Sequence, residues 1–445
     1  MIKKPVYLRC LDVVNNHYKY YKMIPMNDNA FRAEYGREGY APQTKVYPMS
    51  KWDSTYRSKI AKGYVDKSEH FVLEAKGNTP DGSRVAKDGT MYAEIPDAEV
   101  KRLVNTLLNL SKKTVAANYN ISAKHVTQKM IDDAQGYINK MSDAFLNIST
   151  YGVSNAVQRF NNALVELLNT IPRKASTRMQ DELLCDGAEN YVKGRMSTRI
   201  AQEEGLLDNM RTCVTAAIID TKQDNANDTK DAKPITMLEA LGLEISLCDA
   251  EDMKRIHGCF KQRDRDAGLD KRIIKAFKVN NKATAERFQK FKDNNRDDYK
   301  RFPQELLWHG SRNENWWSII NNGLKIRPSN AVYTGSMFGD GLYFASSAQK
   351  SFGYTSSSHA YWTRESSDMA VMALFDVGVG NQLNTDNNYG DFRTMTWSKI
   401  RSKKDAKGRP YHSVYAHAGS QLRNDELIMY NSDQVTIKYL VLFRG

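Results

Sequence analysis

Four short stretches in the last third of the chain decide how the whole sequence is interpreted. They are residues 306–312 (LLWHGSR), 335–345 (GSMFGDGLYFA), 350–354 (KSFGY) and 424–430 (NDELIMY). Taken singly, each has an ordinary structural explanation, since a His-Gly-Ser triplet commonly forms a turn and a glutamate before an apolar strand is commonly solvated. The glycines on either side of Asp340 do not open a helix, so they do not predict a phosphate-binding loop. The informative feature is the order of the four stretches.

The sequence around these stretches is typical of short β-strands. Runs rich in apolar and aromatic residues occupy 341–345, 372–377, 427–430 and 437–443, and residues 272–279 alternate like a strand. Glycine turns separate these runs, which favours antiparallel pairing over helical crossovers. We therefore expect the C-terminal third to form a mixed, mostly antiparallel sheet.

The middle of the chain changes to the period of α-helices. Asp97 has the residue type of an N-cap, and an apolar stripe at three- and four-residue spacing follows it. A second stripe predicts a helix from Ser122, and a third predicts a helix that stops at Pro172. Methionines and aromatics in these stripes are interpreted as bundle core rather than as a cofactor site. Residues 222–234 lack an apolar period and predict an exposed loop, after which a helical segment resumes at 235–241.

The N-terminal segment predicts a small β-rich module. Strand-like runs occupy 6–10, 18–24 and 31–35, and a helix is expected at 51–61. Turn residues between 67 and 95 indicate a hairpin or a linker.

Positive charge is concentrated in the same module. Residues 1–62 contain twelve Lys/Arg and five Asp/Glu, a net +7 out of +13 for the whole chain. A clustered basic region is typical of proteins that bind polyanions. A solvated lysine-rich surface explains the charge equally well on its own.

Composition excludes several other classes of protein. Polar residues after position 11 interrupt any apolar run near the N-terminus, so we predict no signal peptide, and no run of about 18 apolar residues predicts a membrane span. We therefore expect an intracellular protein with reduced thiols and no zinc finger, because its cysteines are scattered and show no C-x-x-C pair. The cysteines are Cys10, Cys185, Cys213, Cys248 and Cys259.

Together and in this order, the four stretches resemble the catalytic domain of the poly(ADP-ribose) polymerase family, almost continuously from Leu306 to Tyr354. Residues 35–39 (YGREG) resemble the core of the family's WGR domain, with tyrosine replacing its tryptophan, and the helical middle resembles its regulatory helical domain. The resemblance implies an α+β protein of three domains. These are a WGR-like nucleic-acid-binding domain at 1–90, a regulatory helical domain at 96–260 and an ADP-ribosyltransferase domain at 268–445, without the family's zinc fingers.

The same resemblance assigns the catalytic residues. The family's His-Tyr-Glu triad maps onto His309, Tyr343 and Glu426. Glu426 would stabilise the positive charge that develops on the ribose and would polarise the acceptor as a general base. NAD+ is then a substrate, and neither a bound cofactor nor a metal is implied.

The remaining NAD+ contacts are also assigned by resemblance. The backbone of Gly310 and the hydroxyl of Ser351 would hold the nicotinamide carboxamide, and Tyr354 would stack on the ring opposite Tyr343. His309 would bind the adenosine ribose with Ser311 nearby, and Lys325 stands where the family often has an arginine near the adenosine.

Two further departures from the family pattern concern the acceptor side of the site. Asp340 stands where the family often has lysine, and Asn424 replaces a tyrosine two residues before the triad glutamate. Poly- and mono-ADP-ribosylation therefore both remain open.

The implied partners are protein acceptors, including the chain itself, and DNA ends or breaks bound by Tyr35 and Arg37. No membrane partner is implied. The protein would be nuclear in a eukaryote and cytoplasmic in a prokaryote. A catalytically inactive DNA-end-binding scaffold is the alternative from another functional class.

Overall fold

A computed structural model describes most of the chain. The described residues are 3–12, 15–68, 93–121, 123, 126–174, 178–222, 235–260, 265–297, 299–326, 337–339, 341–357, 367–385, 392, 394–419 and 422–445. The chain divides into two compact units, Met1–Ser83 with Lys112–Ile218 and Arg84–Ser111 with Ile219–Gly445. The three-domain division expected from the sequence stays a prediction.

The N-terminal segment folds into a five-stranded antiparallel sheet. Its strands are β1 (Val6–Asp12), β2 (His17–Pro25), β3 (Ala30–Arg37), β4 (Gln43–Pro48) and β5 (Val65–Asp66), in the order β4-β3-β2-β1-β5. Helix α1 (Trp52–Ile60) packs on the sheet, with Trp52 edge-on to Phe31 at 5.0 Å between ring centroids. The first three strands and the helix were predicted. The edge strand β4 was not, because its residues are nearly all exposed and carry no apolar alternation.

Helices follow the sheet along the chain. They are α2 (Ala98–Asn118), α3 (Gln128–Leu146), α4 (Ile148–Tyr151), α5 (Val153–Thr170) and α6 (Glu189–Lys222). Asp97 caps α2 as predicted, accepting from the amides of Glu99 and Val100 at 2.8 and 3.0 Å. The expected start of the second helix at Ser122 was wrong. That helix begins at Gln128, because Thr127 accepts the Met130 amide and so provides the N-cap.

A buried arginine connects the N-terminal sheet to α5 within the first unit. Arg9 is 2% exposed, and its Nε lies 3.0 Å from Glu38 Oε1. Tyr7 Oη donates to the same carboxylate at 2.7 Å. The Arg9 guanidinium also donates to the carbonyls of Leu168, at 3.3 Å, and Asn169. These carbonyls lie in the last turn of α5, where no intrahelical donor reaches them, so Arg9 caps that helix.

The second unit contains two sheets. Its strands are β6 (Leu243–Leu247), β7 (Ile273–Asn281), β8 (Glu305–Gly310), β9 (Leu342–Phe344), β10 (Met369–Val377), β11 (Gln382–Thr385), β12 (Ser413–Ala416), β13 (Glu426–Met429) and β14 (Val435–Arg444). One sheet has the order β6-β7-β14-β10-β8 and the other β11-β12-β13-β9. Among the described strands only β11 and β12 pair in parallel, so the expected mixed, mostly antiparallel architecture of an α+β protein is confirmed.

Short helices accompany these sheets. They are α7 (Met237–Ala240), α8 (Ala250–Gly258), α9 (Arg265–Asp270), α10 (Lys282–Asn294), α11 (Trp316–Asn322), α12 (Ala348–Phe352) and α13 (Trp397–Ser402). Residues 243–247, which lie inside the range predicted as helical, instead form β6 and pair with β7. The expected loop at 222–234 and the hairpin or linker at 67–95 lie largely outside the described residues. No described helix is long and apolar enough to cross a membrane.

Arg9→Met should destabilise the first unit by about 3 kcal/mol, because the substitution leaves Glu38 buried without its counter-charge and uncaps α5. Thermal and urea unfolding of the purified chain measure this loss. The matched control is Lys3→Met, which removes a pairing with Asp53 in which the two side chains are 44% and 65% exposed. An equal effect of the two substitutions would contradict a structural role for Arg9.

Candidate functional site

His309 lies where the two sheets of the second unit meet. The neighbouring Trp308 exchanges two backbone hydrogen bonds with Ala345, each 3.0 Å long, which joins β8 to the end of β9. His309 Nδ1 lies 3.0 Å from the Tyr343 carbonyl. A carbonyl can only accept, so Nδ1 carries the proton and Nε2 of the neutral ring is left as an acceptor. Burial among aromatic rings lowers the His309 pKa and the bond to Tyr343 opposes this, so the neutral ring is favoured.

Gly310 packs directly on Ser351, near the C-terminal end of α12. A β-carbon built at this position would overlap the carbonyl of Ser351. Only glycine allows the backbone of β8 to approach this closely. Ser351 is 4% exposed. The close approach places the Gly310 backbone and the buried Ser351 side by side.

Tyr343 holds the loop before β9 through its hydroxyl. The hydroxyl donates to the Gly339 carbonyl at 2.9 Å and accepts the Phe338 amide at 3.0 Å. In the sheet, Tyr343 pairs with Ile428 of β13. The strand that carries Tyr343 therefore lies beside the strand that carries Glu426.

Glu426 is a buried carboxylate at the start of β13. It is 5% exposed, and Lys350 of α12 donates to its Oε1. Its Oε2 is also buried and has no hydrogen-bond partner among the residues that the structure describes. Burial raises the Glu426 pKa and lowers the Lys350 pKa, and in both cases the attraction between the two groups opposes the shift. A buried carboxylate oxygen without a donor can accept a hydrogen bond from a bound molecule.

Three further residues were predicted to contact NAD+. Tyr354 follows α12, and burial together with the nearby Glu426 charge raises its pKa to about 12. Ser311 accepts a hydrogen bond from Asn315 at 3.0 Å. Lys325 is exposed beyond the end of α11, and its contact with the adenosine stays a prediction.

The two residues predicted for DNA lie on β3 in the first unit. Tyr35 stacks on Tyr21 at 5.4 Å between ring centroids. Arg37 is partly buried and donates to the carbonyl of Asn16 at 2.9 Å. This bond orients the Arg37 guanidinium toward the β1–β2 turn, and DNA binding by either residue stays a prediction.

Lys350 is a site residue that the sequence reasoning missed. It belongs to the KSFGY stretch but received no role, because a lysine before a serine has no signature of its own. Its role becomes clear only from the structure, in which α12 places Lys350 against Glu426.

Residues 250–444 match the family described as the poly(ADP-ribose) polymerase catalytic domain. A poly(ADP-ribose) polymerase-like protein of Invertebrate iridescent virus 6 is 34% identical over 31% of this chain and 68% of its own length. The chain belongs to the poly(ADP-ribose) polymerase family. Poly(ADP-ribose) polymerase 2 of Arabidopsis thaliana is 24% identical over 92% of the chain and 67% of its own length. A poly(ADP-ribose) polymerase of Drosophila melanogaster is 35% identical over 38% of the chain, which spans only 18% of that relative's length.

Gly310→Ala should destabilise the second unit by about 1–3 kcal/mol, because the added methyl group must push α12 away from β8. Thermal unfolding measures the loss. Gly258→Ala is the matched control, since a β-carbon there meets no atom of the described residues within 4 Å and alanine favours a helix. Wild-type stability of Gly310→Ala would disprove the close approach.

Proposed function

We propose that the chain is an NAD+ ADP-ribosyltransferase that releases nicotinamide and transfers ADP-ribose to proteins, including itself. The observation that carries the proposal is the buried Oε2 of Glu426, which receives no hydrogen bond from the described part of the chain. It belongs to the same site as Gly310 and Ser351, and the ribose of NAD+ offers hydroxyl donors that fit it. NAD+ is consumed as a substrate, so the proposal needs no bound cofactor.

Nicotinamide suits the groups around α12. Its carboxamide needs an acceptor for its NH2 group and a donor for its oxygen, which the Gly310 backbone and the Ser351 hydroxyl supply. Its flat cationic ring suits stacking between Tyr343 and Tyr354. His309 Nε2 is free to accept a hydrogen bond from a hydroxyl of the adenosine ribose.

The reaction breaks the bond between nicotinamide and the ribose C1′ carbon. Positive charge develops on the ribose as nicotinamide leaves with the bonding electrons. A 2′-hydroxyl that donates a hydrogen bond to Glu426 Oε2 gains electron density from the carboxylate. This stabilises the positive charge on the ribose where it forms. Lys350 supports this role because its ammonium group favours the ionised form of a carboxyl whose pKa burial raises. The acceptor then attacks C1′, forming the new bond to the ribose, and gives up its proton to Glu426 acting as general base.

Elongation of ADP-ribose chains is the second part of the proposal. A glutamate as the third triad residue can polarise an incoming ribose hydroxyl as well as a protein side chain. Transfer of a single ADP-ribose is the alternative, since Asn424 stands on the acceptor side where the family often has tyrosine. A scaffold without activity is the alternative from another class.

Glu426→Gln should reduce NAD+ turnover by at least about 10²-fold, because the amide lacks the negative charge that stabilises the ribose cation. The assay incubates the full chain with NAD+ labelled in its adenosine half and follows released nicotinamide and labelled protein on a gel. A ladder indicates elongation, and one discrete shift indicates single transfer. The matched control is Glu286→Gln, which removes an equal charge from an exposed position on α10. Absence of turnover by the wild type under every condition would favour the scaffold.

We also propose that DNA ends or breaks bind the N-terminal module and raise turnover. Support comes from its net charge of +7 over residues 1–62 and from Lys59, whose Nζ lies 3.9 Å from the Tyr21 ring centroid. Lys59 and the stacked pair Tyr21 and Tyr35 line a pocket of about 450 Å³. Lysines neutralise phosphates without reading sequence, and the half-buried Tyr35, which covers Tyr21, offers a ring on which a base or sugar can stack. Such a partner implies the nucleus of a eukaryote or the cytoplasm of a prokaryote.

Nicked or blunt duplex DNA should raise NAD+ turnover several-fold, and Tyr35→Ala should weaken DNA binding by about tenfold through loss of one stacking surface. DNA binding is measured by fluorescence anisotropy at two salt concentrations, because a phosphate-dominated complex weakens as salt rises. Tyr191→Ala, on α6, is the control, since Tyr191 is 59% exposed outside this module. Turnover that stays constant with every nucleic acid would disprove DNA activation.

A further inference from the structure

Helix α12 carries two residues of the site, but its own residues do little to stabilise its N-terminus. It is five residues long and carries Lys350 and Ser351. A helix of this length is not stable alone, and its first amides have no intrahelical acceptors. The side chain of its own N-cap residue, Ser347, makes no capping bond. Acceptors for these amides must come from elsewhere in the chain.

A carboxylate from α9 supplies them. Asp266 lies more than 80 residues earlier in the chain and is 3% exposed. Its Oδ1 accepts the Gln349 amide at 2.8 Å and the Ser347 hydroxyl at 2.9 Å, and its Oδ2 accepts the Ala348 amide at 3.1 Å. Asp266 therefore caps the N-terminus of α12 in place of Ser347, and it also accepts the hydrogen bond of the Ser347 hydroxyl. A negative charge at this end also complements the helix dipole.

Helix α9 has other contacts that fix it in place. Leu269 is 2% exposed and belongs to the same apolar cluster as Ala348 and Phe352. His257 of α8 lies 2.5 Å from Asp270 through Nδ1 and Oδ1. The Asp266 carboxylate thus extends from an anchored helix to the start of α12.

We propose that Asp266 is a positioning residue for the NAD+ site. By fixing the first turn of α12, it sets how closely Ser351 approaches Gly310 and where Lys350 meets Glu426. The nicotinamide subsite then depends on a residue that does not touch the substrate. This role rests on the transferase function proposed above.

Asp266→Ala should raise the KM for NAD+ by about tenfold, because the nicotinamide contacts act in the ground state, and should also lower kcat, because Lys350 no longer holds Glu426 in its ionised form. Asp266→Asn, which keeps one acceptor oxygen, should recover part of the loss. Asp293→Asn is the control, because it makes the same kind of change at an exposed position on α10 rather than on α9 or α12. A stability control is Phe291→Leu, a buried substitution on α10. The proposal is overturned by a wild-type KM in Asp266→Ala, or by an equal rise of KM in Phe291→Leu at equal loss of thermal stability.

Hydrogen exchange separates this proposal from the proposed function. Amide exchange in a peptide covering residues 346–354 should become at least about tenfold faster in Asp266→Ala, since two of its amides lose their acceptor. Peptides from β10 and β14 should keep their wild-type rates. If the wild type consumes no NAD+, the transferase proposal fails, yet this exchange still decides the role of Asp266. Unchanged exchange in 346–354 would overturn the role even in an active enzyme.

Discussion

The two backbone hydrogen bonds between Trp308 and Ala345 hold together the parts of the site. They connect the sheet that ends in β8 to the sheet that ends in β9. His309 follows one partner and Tyr343 precedes the other, so a single bridge sets both residues side by side. Because β9 also pairs with β13, the bridge brings Glu426 to the same place. Backbone pairing thus brings the three predicted triad residues together, and the bond between His309 Nδ1 and the Tyr343 carbonyl adds to it.

The buried ion pair beside this bridge is costly to the fold. Burial shifts the pKa of Glu426 upward and that of Lys350 downward, so each group taken alone is driven toward its neutral form. Their mutual attraction opposes both shifts, and a hydrogen bond to Oε2 would lower the cost further. A bound ribose hydroxyl could supply that bond. The site therefore has the character of a polar cluster that a ligand would complete, at a cost in stability while it is empty of that ligand.

Some elements of the fold could be predicted from the sequence, because short local residue patterns specify them. Strands β1, β2 and β3 appear as apolar and aromatic runs, and Asp97 caps α2 because a short polar side chain before an apolar stripe suits that position. The edge strand β4 could not be predicted, since an exposed strand carries no burial pattern. The five-residue strand β6 was missed because its short apolar run directly follows a helical segment, and its partner β7 lies some 30 residues later.

The residues of the site also differ in whether the sequence reveals their role. His309, Tyr343 and Glu426 were identified because whole stretches around them resemble a family, and a lone histidine or glutamate would have carried no information. Lys350 and Asp266 act through partners more than 70 residues away. Neither residue has a local signature, because the sheets and helices that bring the partners together determine the contact.

Folding buries one positive charge of the N-terminal module and leaves the excess positive charge at its surface. Arg9 adds nothing to the surface charge of the module, because its side chain is buried and paired with Glu38. Two further acids of the module, Asp53 and Glu34, lie against Lys3 and Arg32. These pairings remove equal numbers of each sign, so the excess of +7 stays on the outside, where Lys4, Lys45, Lys51 and Lys62 are exposed. Such an excess favours a polyanion of any sequence over a partner read by shape. The fold therefore buries one arginine and leaves the positive field of the module at its surface.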